Sequence, residues 1–319
     1  MENKRMTNRV VITGPTGAVG MALIQKCIDN ETEVLALCHK GSKRISNIPR
    51  SPYVTVREAE LSDLQQLSPA KGEKYDVLFH FGWMGTTGEA RNDMQLQCKN
   101  IEYTIAAVEL AERFGCHTFI GAGSQAEYGR AEGKLTPETP VFPENGYGMA
   151  KLCAGQMSRA VCEKCGIKHI WVRILSVYGP FDSENTMIIS TIKKLLSGQH
   201  AGFTPGEQQW DYLYSKDAAE ALWRLAEKGI SGKTYVLGSG EKKALKEYIR
   251  ELHRAAAEVT AGVGTLGMGE LPYAPKQVMS LCADISDLTE DTGFLPEISF
   301  AEGIRRTIDS VRRQGGLPD

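Results

Sequence analysis

Tyr147 and Lys151, in the run PENGYGMAKLCAG, stand four positions apart, so on a helix their side chains share one face. An ammonium beside a phenol favours phenolate. This predicts a Tyr147 pKa drawn down from about 10 towards the working pH. Such a phenol can give a proton to an alkoxide, or take one from an alcohol, while a hydride moves at the carbon. Spacing alone does not select this pair, because Tyr212 and Lys216 in WDYLYSKDAAEAL repeat it. A serine separates the two. Ser124 follows the apolar run of residues 117–123, and the Pro- and Gly-rich loop TPETPVFPENG can fold back to bring its hydroxyl to that of Tyr147. Tyr212 has no serine at a glycine-bordered strand end similarly upstream.

The elements that must position these groups begin at the N-terminus. Residues 9–13 (RVVIT) read as a buried parallel strand. The loop Gly14-Pro15-Thr16-Gly17-Ala18-Val19-Gly20 follows, and then a helix with Val19, Leu23, Ile24, Cys27 and Ile28 at helical spacing. Gly14 permits the tight turn, Gly17 lets the backbone approach a pyrophosphate, and Gly20 lets the helix pack close to the strand. The helix N-terminus supplies free amides and partial positive charge for phosphates. A dinucleotide site is expected, although the glycines are spaced three and three where the commonest fingerprint has two and three. The second strand, residues 33–37 (EVLAL), leads into His39, Lys40, Lys43 and Arg44 with no acidic residue nearby to hold ribose hydroxyls. These four basic groups suit a 2′-phosphate and predict NADP, with NAD as the alternative; the other reading is a solvated basic loop.

The chain of 319 residues carries a formal net charge of −2, which points to neither nucleic acid nor an anionic membrane. No apolar run reaches the ~20 residues that span a bilayer. The start MENKRMTNR lacks the apolar core of a secretory leader. The eight scattered cysteines read as reduced thiols, so a cytoplasmic enzyme is expected. Cys162, Cys165 and His169 have the look of zinc ligands, but a closed site needs a fourth and no second pair follows. Gly166 reads instead as a helix C-cap, and no metal is expected.

Strands and helices alternate to about residue 175, the pattern of an α/β doubly wound parallel sheet. Residues 1–175 are expected to form a dinucleotide-binding Rossmann domain. Residues 176–319 are expected to build mainly a smaller substrate-binding lobe, with 206–238 returning to the first domain. In the lobe, Ile188, Ile189, Ile192 and Leu195 make a core stripe. A helix follows over 245–259, then a Gly-rich connector, GVGTLGMGE.

Several further segments carry a family resemblance over nearly the whole chain. The glycine loop with Thr13 resembles Thr-Gly-x-x-Gly-x-x-Gly, and Glu60-Leu61-Ser62-Asp63 resembles an adenine-contacting Asp-Leu-x-Asp turn. Residues 76–82 (DVLFHFG), Asn100, the run from Ser124 to Gly129, Pro143 to Lys151, and the later VRILSVYGP and WDYLYSKDA match further signatures. The chain is thereby identified as a member of the extended short-chain dehydrogenase/reductases, in the group of nucleotide-sugar epimerases, dehydratases and 4-ketoreductases. The resemblance implies that Tyr147 is the general acid or base, that Lys151 lowers its pKa and bonds the nicotinamide ribose, and that Ser124 steadies the reacting oxygen. It also implies cofactor contacts at Phe81, Gly82 and Asn100, a substrate-facing loop at Trp83, Met84 and Thr86, closing helices at 284–287 and 299–313, and a homodimer through the helix bearing Tyr147.

Departures bear on the substrate. Dehydratases of the group carry Asp-Glu after the serine; Gln125 and Ala126 stand here and cannot move those protons. Trp210 replaces an arginine that holds a diphosphate, and Ser176 replaces an asparagine. Lys276 is either a substitute phosphate anchor or a surface lysine. The expected reaction is NADPH-dependent reduction of a 4-keto group on a nucleotide-linked deoxysugar. A 4-epimerase that retains NAD is the alternative, followed by a reductase of a non-nucleotide ketone and by a non-catalytic NADP sensor.

Overall fold

The structure, a computed structural model, describes residues 7–314. The first six residues, part of the start read above for a leader, lie outside the described residues, as do 315–319. Six strands come first: β1 (Arg9–Thr13), β2 (Glu33–Cys38), β3 (Val54–Glu58), β4 (Val77–His80), β5 (Thr118–Ser124) and β6 (Lys168–Ile174). Short strands β7 (Ser176–Tyr178), β8 (Ala201–Phe203), β9 (Gln209–Trp210) and β10 (Tyr212–Tyr214) follow, and β11 (Thr234–Leu237) then returns beside β6. The resulting seven-stranded parallel sheet has the order β11-β6-β5-β4-β1-β2-β3. The chain runs outward from β1 in both directions, so a crevice opens between the carboxyl ends of β1 and β4.

Strict alternation along β1 explains the two covered faces. Val10 and Ile12 enter one core with Leu23 and Ile24 of α1 (Ala18–Asp29), while Val11 enters the other with Ala107 and Leu110 of α2 (Met94–Arg113). Cys162 of α3 (Gly146–Cys165) joins the second core. Each fully buried aliphatic side chain contributes roughly 1.5–3 kcal/mol. Gly166 closes α3 with φ 68°. His169 accepts or donates at Ser158 through Nε2 at 2.9 Å and stacks between Phe119 and Trp171, and all eight cysteines are free.

The lobe gathers α4 (Met187–Leu196), α6 (Leu245–Ala257) and α8 (Phe300–Gln314) around Ile188, Ile189, Ile192, Leu195, Leu252 and Ile304. Helix α5 (Ser215–Lys228) lies with α1 against the sheet through Leu222 and Leu225. Tyr212 and Lys216 fall on β10 and α5, so they do not share a helix, and Tyr212 packs edge-on against Tyr248 at 5.0 Å. Two expectations shift. Part of the Gly-rich connector forms strand β13 (Leu266–Met268), because β8, over sixty residues earlier, offers it a parallel edge. After β12 (Lys243–Ala244) and α6, the first closing helix is α7 (Ser286–Thr292), starting two residues later than read. Among the described residues, no helix is long and apolar enough to cross a membrane.

Candidate active site

The crevice is lined by the glycine loop. Gly14 has φ 64°, and a Cβ there would stand 2.7 Å from the Gly82 nitrogen, so both backbone and space demand glycine. Thr13 draws β4 to this turn, its Oγ1 accepting from Gly82 N at 3.1 Å and its carbonyl from Phe81 N at 3.1 Å. Gly17 precedes α1, no side chain caps the helix, and nothing lies within 4 Å of where a Cβ would be. Unpaired amides, a helix N-terminus and open space, with Thr16, Ala18 and Val19 alongside, fit a dinucleotide pyrophosphate. Gly20 is forced small by the turn, since a Cβ would stand 2.6 Å from the Pro15 carbonyl, and not by the strand. Leu61 presses its Cδ2 within 2.7 Å of a Cβ position on Gly82.

The basic loop is not free of acids, which corrects the sequence reading. Parallel pairing sets Glu58 opposite Cys38, and the Gly41 amide donates to Glu58 at 2.7 Å. Glu60 accepts the Lys40 amide at 3.1 Å and lies 3.2 Å from His39 Nε2, while Lys40 Nζ meets Asp63 at 2.7 Å. Lys43 and Arg44 stand on the 3₁₀ turn Lys43–Asn47, and Arg44 donates to the carbonyl of Phe181. The acids come from the end of the neighbouring strand, twenty residues away in sequence, where local reading does not look.

Tyr147 occupies the first turn of α3, capped by Asn145, whose Oδ1 accepts from Gly148 N at 2.9 Å. A Cβ on Gly148 would stand 2.2 Å from the Ala126 carbonyl, a contact that seats the helix start on the 3₁₀ turn Gln125–Glu127 beyond β5. That seating brings the Ser124 hydroxyl, which accepts from the Ala126 amide at 3.2 Å, to the side of the Tyr147 phenol. Lys151 is 3% exposed, donates through Nζ to the Ala122 carbonyl at 2.7 Å, and lies 3.6 Å from the centre of the Trp83 ring. The Trp83 ring meets Tyr147 edge-on at 6.0 Å.

The expected lowering of the Tyr147 pKa is overturned. Burial pushes it up; the Ser124 hydrogen bond and the Arg91 charge oppose this, and Glu127 adds to it. Lys151 is itself depressed to about 7 by burial, with Glu127 opposing. Desolvation dominates both groups, and the ammonium is turned to the Ala122 carbonyl and the Trp83 ring.

The remaining predicted residues fall in two groups. Asn100 is buried and pins the loop after β4, exchanging two 2.9 Å hydrogen bonds with the Met84 backbone; this places Trp83 above Lys151. Exposed Thr86 receives Arg91 at its carbonyl, Met84 is exposed, and Gln125 is half-buried next to Ser124. Trp210 and Ser176 are bonded to each other, indole N–H to Oγ at 2.8 Å. Lys276 is exposed with φ 62°, and after Arg130 its charge helps hold the Glu144 carboxyl low.

The family model for NAD dependent epimerases/dehydratases matches residues 10–238. The chain belongs to that family. It is an enzyme of the NAD dependent epimerase/dehydratase kind. Among curated family proteins it is 22% identical to dTDP-glucose 4,6-dehydratase of Neisseria meningitidis serogroup B (strain ATCC BAA-335 / MC58), over 94% of this chain and 92% of that one. The fold is that of UDP-N-acetylglucosamine 4-epimerase from Methanobrevibacter ruminantium M1, solved with UDP-N-acetylmuramic acid (TM-score 0.84, 21% identity, 97% and 100% of the chains). It is also that of UDP-glucuronic acid 4-epimerase from Bacillus cereus, solved with UDP-glucuronic acid and NAD (TM-score 0.82, 21% identity, 96% and 99%).

Arg91 and Glu127 were not singled out in the sequence. The Arg91 guanidinium stacks 4.2 Å from the centre of the Tyr147 ring, from a 3₁₀ turn with no sequence signal. Glu127 had one: a carboxylate directly after the neutral pair Gln125 and Ala126, and the structure buries it completely.

Proposed function

We propose that the enzyme reduces the 4-keto group of a nucleotide-linked deoxysugar, with NADPH as the consumed reductant. The observation that carries the reading is the meeting of the Ser124 and Tyr147 hydroxyls at the carboxyl end of β5, with Lys151 buried beneath. A bound nicotinamide would supply the hydride. Tyr147, kept protonated by its raised pKa, delivers the proton to the carbonyl oxygen, and Ser124 donates a hydrogen bond to that oxygen as charge develops. Gln125 and Ala126 leave no acid–base pair for eliminating water, which argues against dehydration. Lys40 and His39 pair with acids only at the surface, where solvent screens each pair, so a 2′-phosphate can recruit them.

The same acids favour a second reading, a 4-epimerase that retains NAD, because Glu58 and Glu60 stand ready for ribose hydroxyls; the Bacillus cereus epimerase carries NAD. The Trp210–Ser176 bond, in place of a diphosphate-binding arginine, gives a non-nucleotide ketone some support. Incubation with NADPH and 4-keto sugar nucleotides separates these. Falling absorbance at the reduced-nicotinamide band supports the reductase; a flat trace, with NAD copurifying and the C4 configuration scrambled, replaces it with the epimerase. The enzyme is further read as a cytoplasmic homodimer joined through α2 and α3, where Met149 and Met157 are exposed.

A further inference from the structure

Strand β5 ends in Ser124, helix α3 carries Tyr147 in its first turn, and a carboxylate that touches neither hydroxyl ties the two elements together. Glu127 is 0% exposed. Its Oε1 accepts the Ser124 amide at 2.8 Å and the Trp171 indole N–H at 3.0 Å, and its Oε2 accepts Arg173 Nε at 2.8 Å. The Trp171 ring in turn lies in a bed of glycines. A Cβ on Gly121, Gly123 or Gly155 would come within 2.3, 2.4 or 2.7 Å of it. Gly121 and Gly123 belong to β5 and Gly155 to α3, so the indole plane spaces the strand from the helix.

We infer that Glu127 is a positioning residue for the proton-transfer pair: it fixes Ser124 through the backbone amide and α3 through Trp171, and its charge biases Tyr147 and Lys151. The inference rests on the proton-transfer reading proposed above. The groups facing Tyr147 are Arg91 from the turn before α2, Ser124 from β5, Glu127 from the turn after it, and Lys151 on its own helix. Those facing Glu127 are Arg173 from β6, the neighbouring Tyr128, and Lys151. The carboxylate opposes ionisation of Tyr147 and favours protonated Lys151, both of which keep a proton available for delivery. Arg173 is buried too, so an apolar residue at 127 alone would strand its charge.

Two variants of the full chain test this. Glu127→Gln keeps an acceptor for Ser124 and Trp171 and removes the charge. Glu127→Leu combined with Arg173→Leu removes the acceptor without leaving an unpaired charge. Turnover with the keto substrate is measured against pH, and the Tyr147 phenol is titrated by its ring-carbon NMR signal, assigned by its loss in Tyr147→Phe. The Leu/Leu protein should lose about ten- to hundredfold in kcat with KM within about threefold, and Glu127→Gln should recover most of the loss. In Glu127→Gln the Tyr147 signal should titrate at lower pH than in the wild type. Wild-type kcat in the Leu/Leu protein, or an unmoved Tyr147 titration in Glu127→Gln, overturns the inference. If Leu/Leu does not fold, the Glu127→Gln titration decides alone. A wild type that turns over no carbonyl compound sinks the proton-transfer reading, while the titration still reports on Glu127.

Discussion

Replacing Lys151 with Met removes an ammonium from a place where water cannot reach it, and the consequence for stability follows from the structure. Burial draws its pKa from 10.5 to about 7, a displacement equivalent to roughly 5 kcal/mol of penalty at pH values below about 7. Two contacts offset part of it. The 2.7 Å bond to the Ala122 carbonyl is worth about 1.5–3 kcal/mol and the Trp83 ring contact about 1–2 kcal/mol, and methionine forfeits both. Lys151→Met is therefore expected to match or exceed the wild type by about 0–2 kcal/mol at pH 6, with activity lost. The sign of the pH dependence is the sharper test. Between about 7 and 10.5 the unfolded chain binds the proton that the folded chain has released, so the wild type gains stability as pH rises. The advantage of the variant should shrink by about 2 kcal/mol from pH 7 to pH 9. Urea unfolding of cofactor-free protein, followed by tryptophan fluorescence in both proteins at each pH, measures the difference; other titrating groups cancel in the subtraction. A difference that stays constant across that range would mean Lys151 is not desolvated, and the account of its role would have to be withdrawn.

Tyr147→Phe should lower turnover by about 10²–10⁴-fold while nicotinamide cofactor affinity, read by fluorescence titration, changes less than about threefold. Gly148→Ala should cost roughly 2–4 kcal/mol in chemical denaturation, because its Cβ would stand 2.2 Å from a backbone carbonyl. An unchanged midpoint would mean that α3 is not seated on the Ala126 turn. His80, buried with Thr13 on Nδ1, has its pKa lowered to about 3, so the neutral ring's contribution is complete above about 6.5 and is lost as pH falls towards 3. Removing it in His80→Gln should flatten the acid side of the stability curve by about 1.4 kcal/mol per pH unit over that window, measured by urea unfolding at pH 4 to 7.

Much of the fold was legible because its periods are local. The alternation of Val10, Val11 and Ile12 between the two cores and the helical stripe after Gly17 follow from strand and helix geometry alone. The strand β13 was not legible, since among the described residues its partner is β8 and a three-residue segment has no pattern without that edge. The Arg44 contact with the Phe181 carbonyl was invisible for the same reason, joining residues 137 positions apart.

The sequence by itself determined which groups share a face: Tyr147 over Lys151, Gly14 at a turn only glycine can make, and Ser124 at a strand end. Backbone geometry is short-ranged, and a few neighbouring residues are enough to specify it. The tertiary structure decided how those groups behave. It raised the Tyr147 pKa where the spacing predicted a fall, set Glu58, Glu60 and Asp63 against the basic loop, and placed Glu127 and Trp171 between strand and helix. Desolvation and Coulomb interaction depend on what stands within a few ångströms, and in a doubly wound sheet those neighbours arrive from strands far apart in the chain.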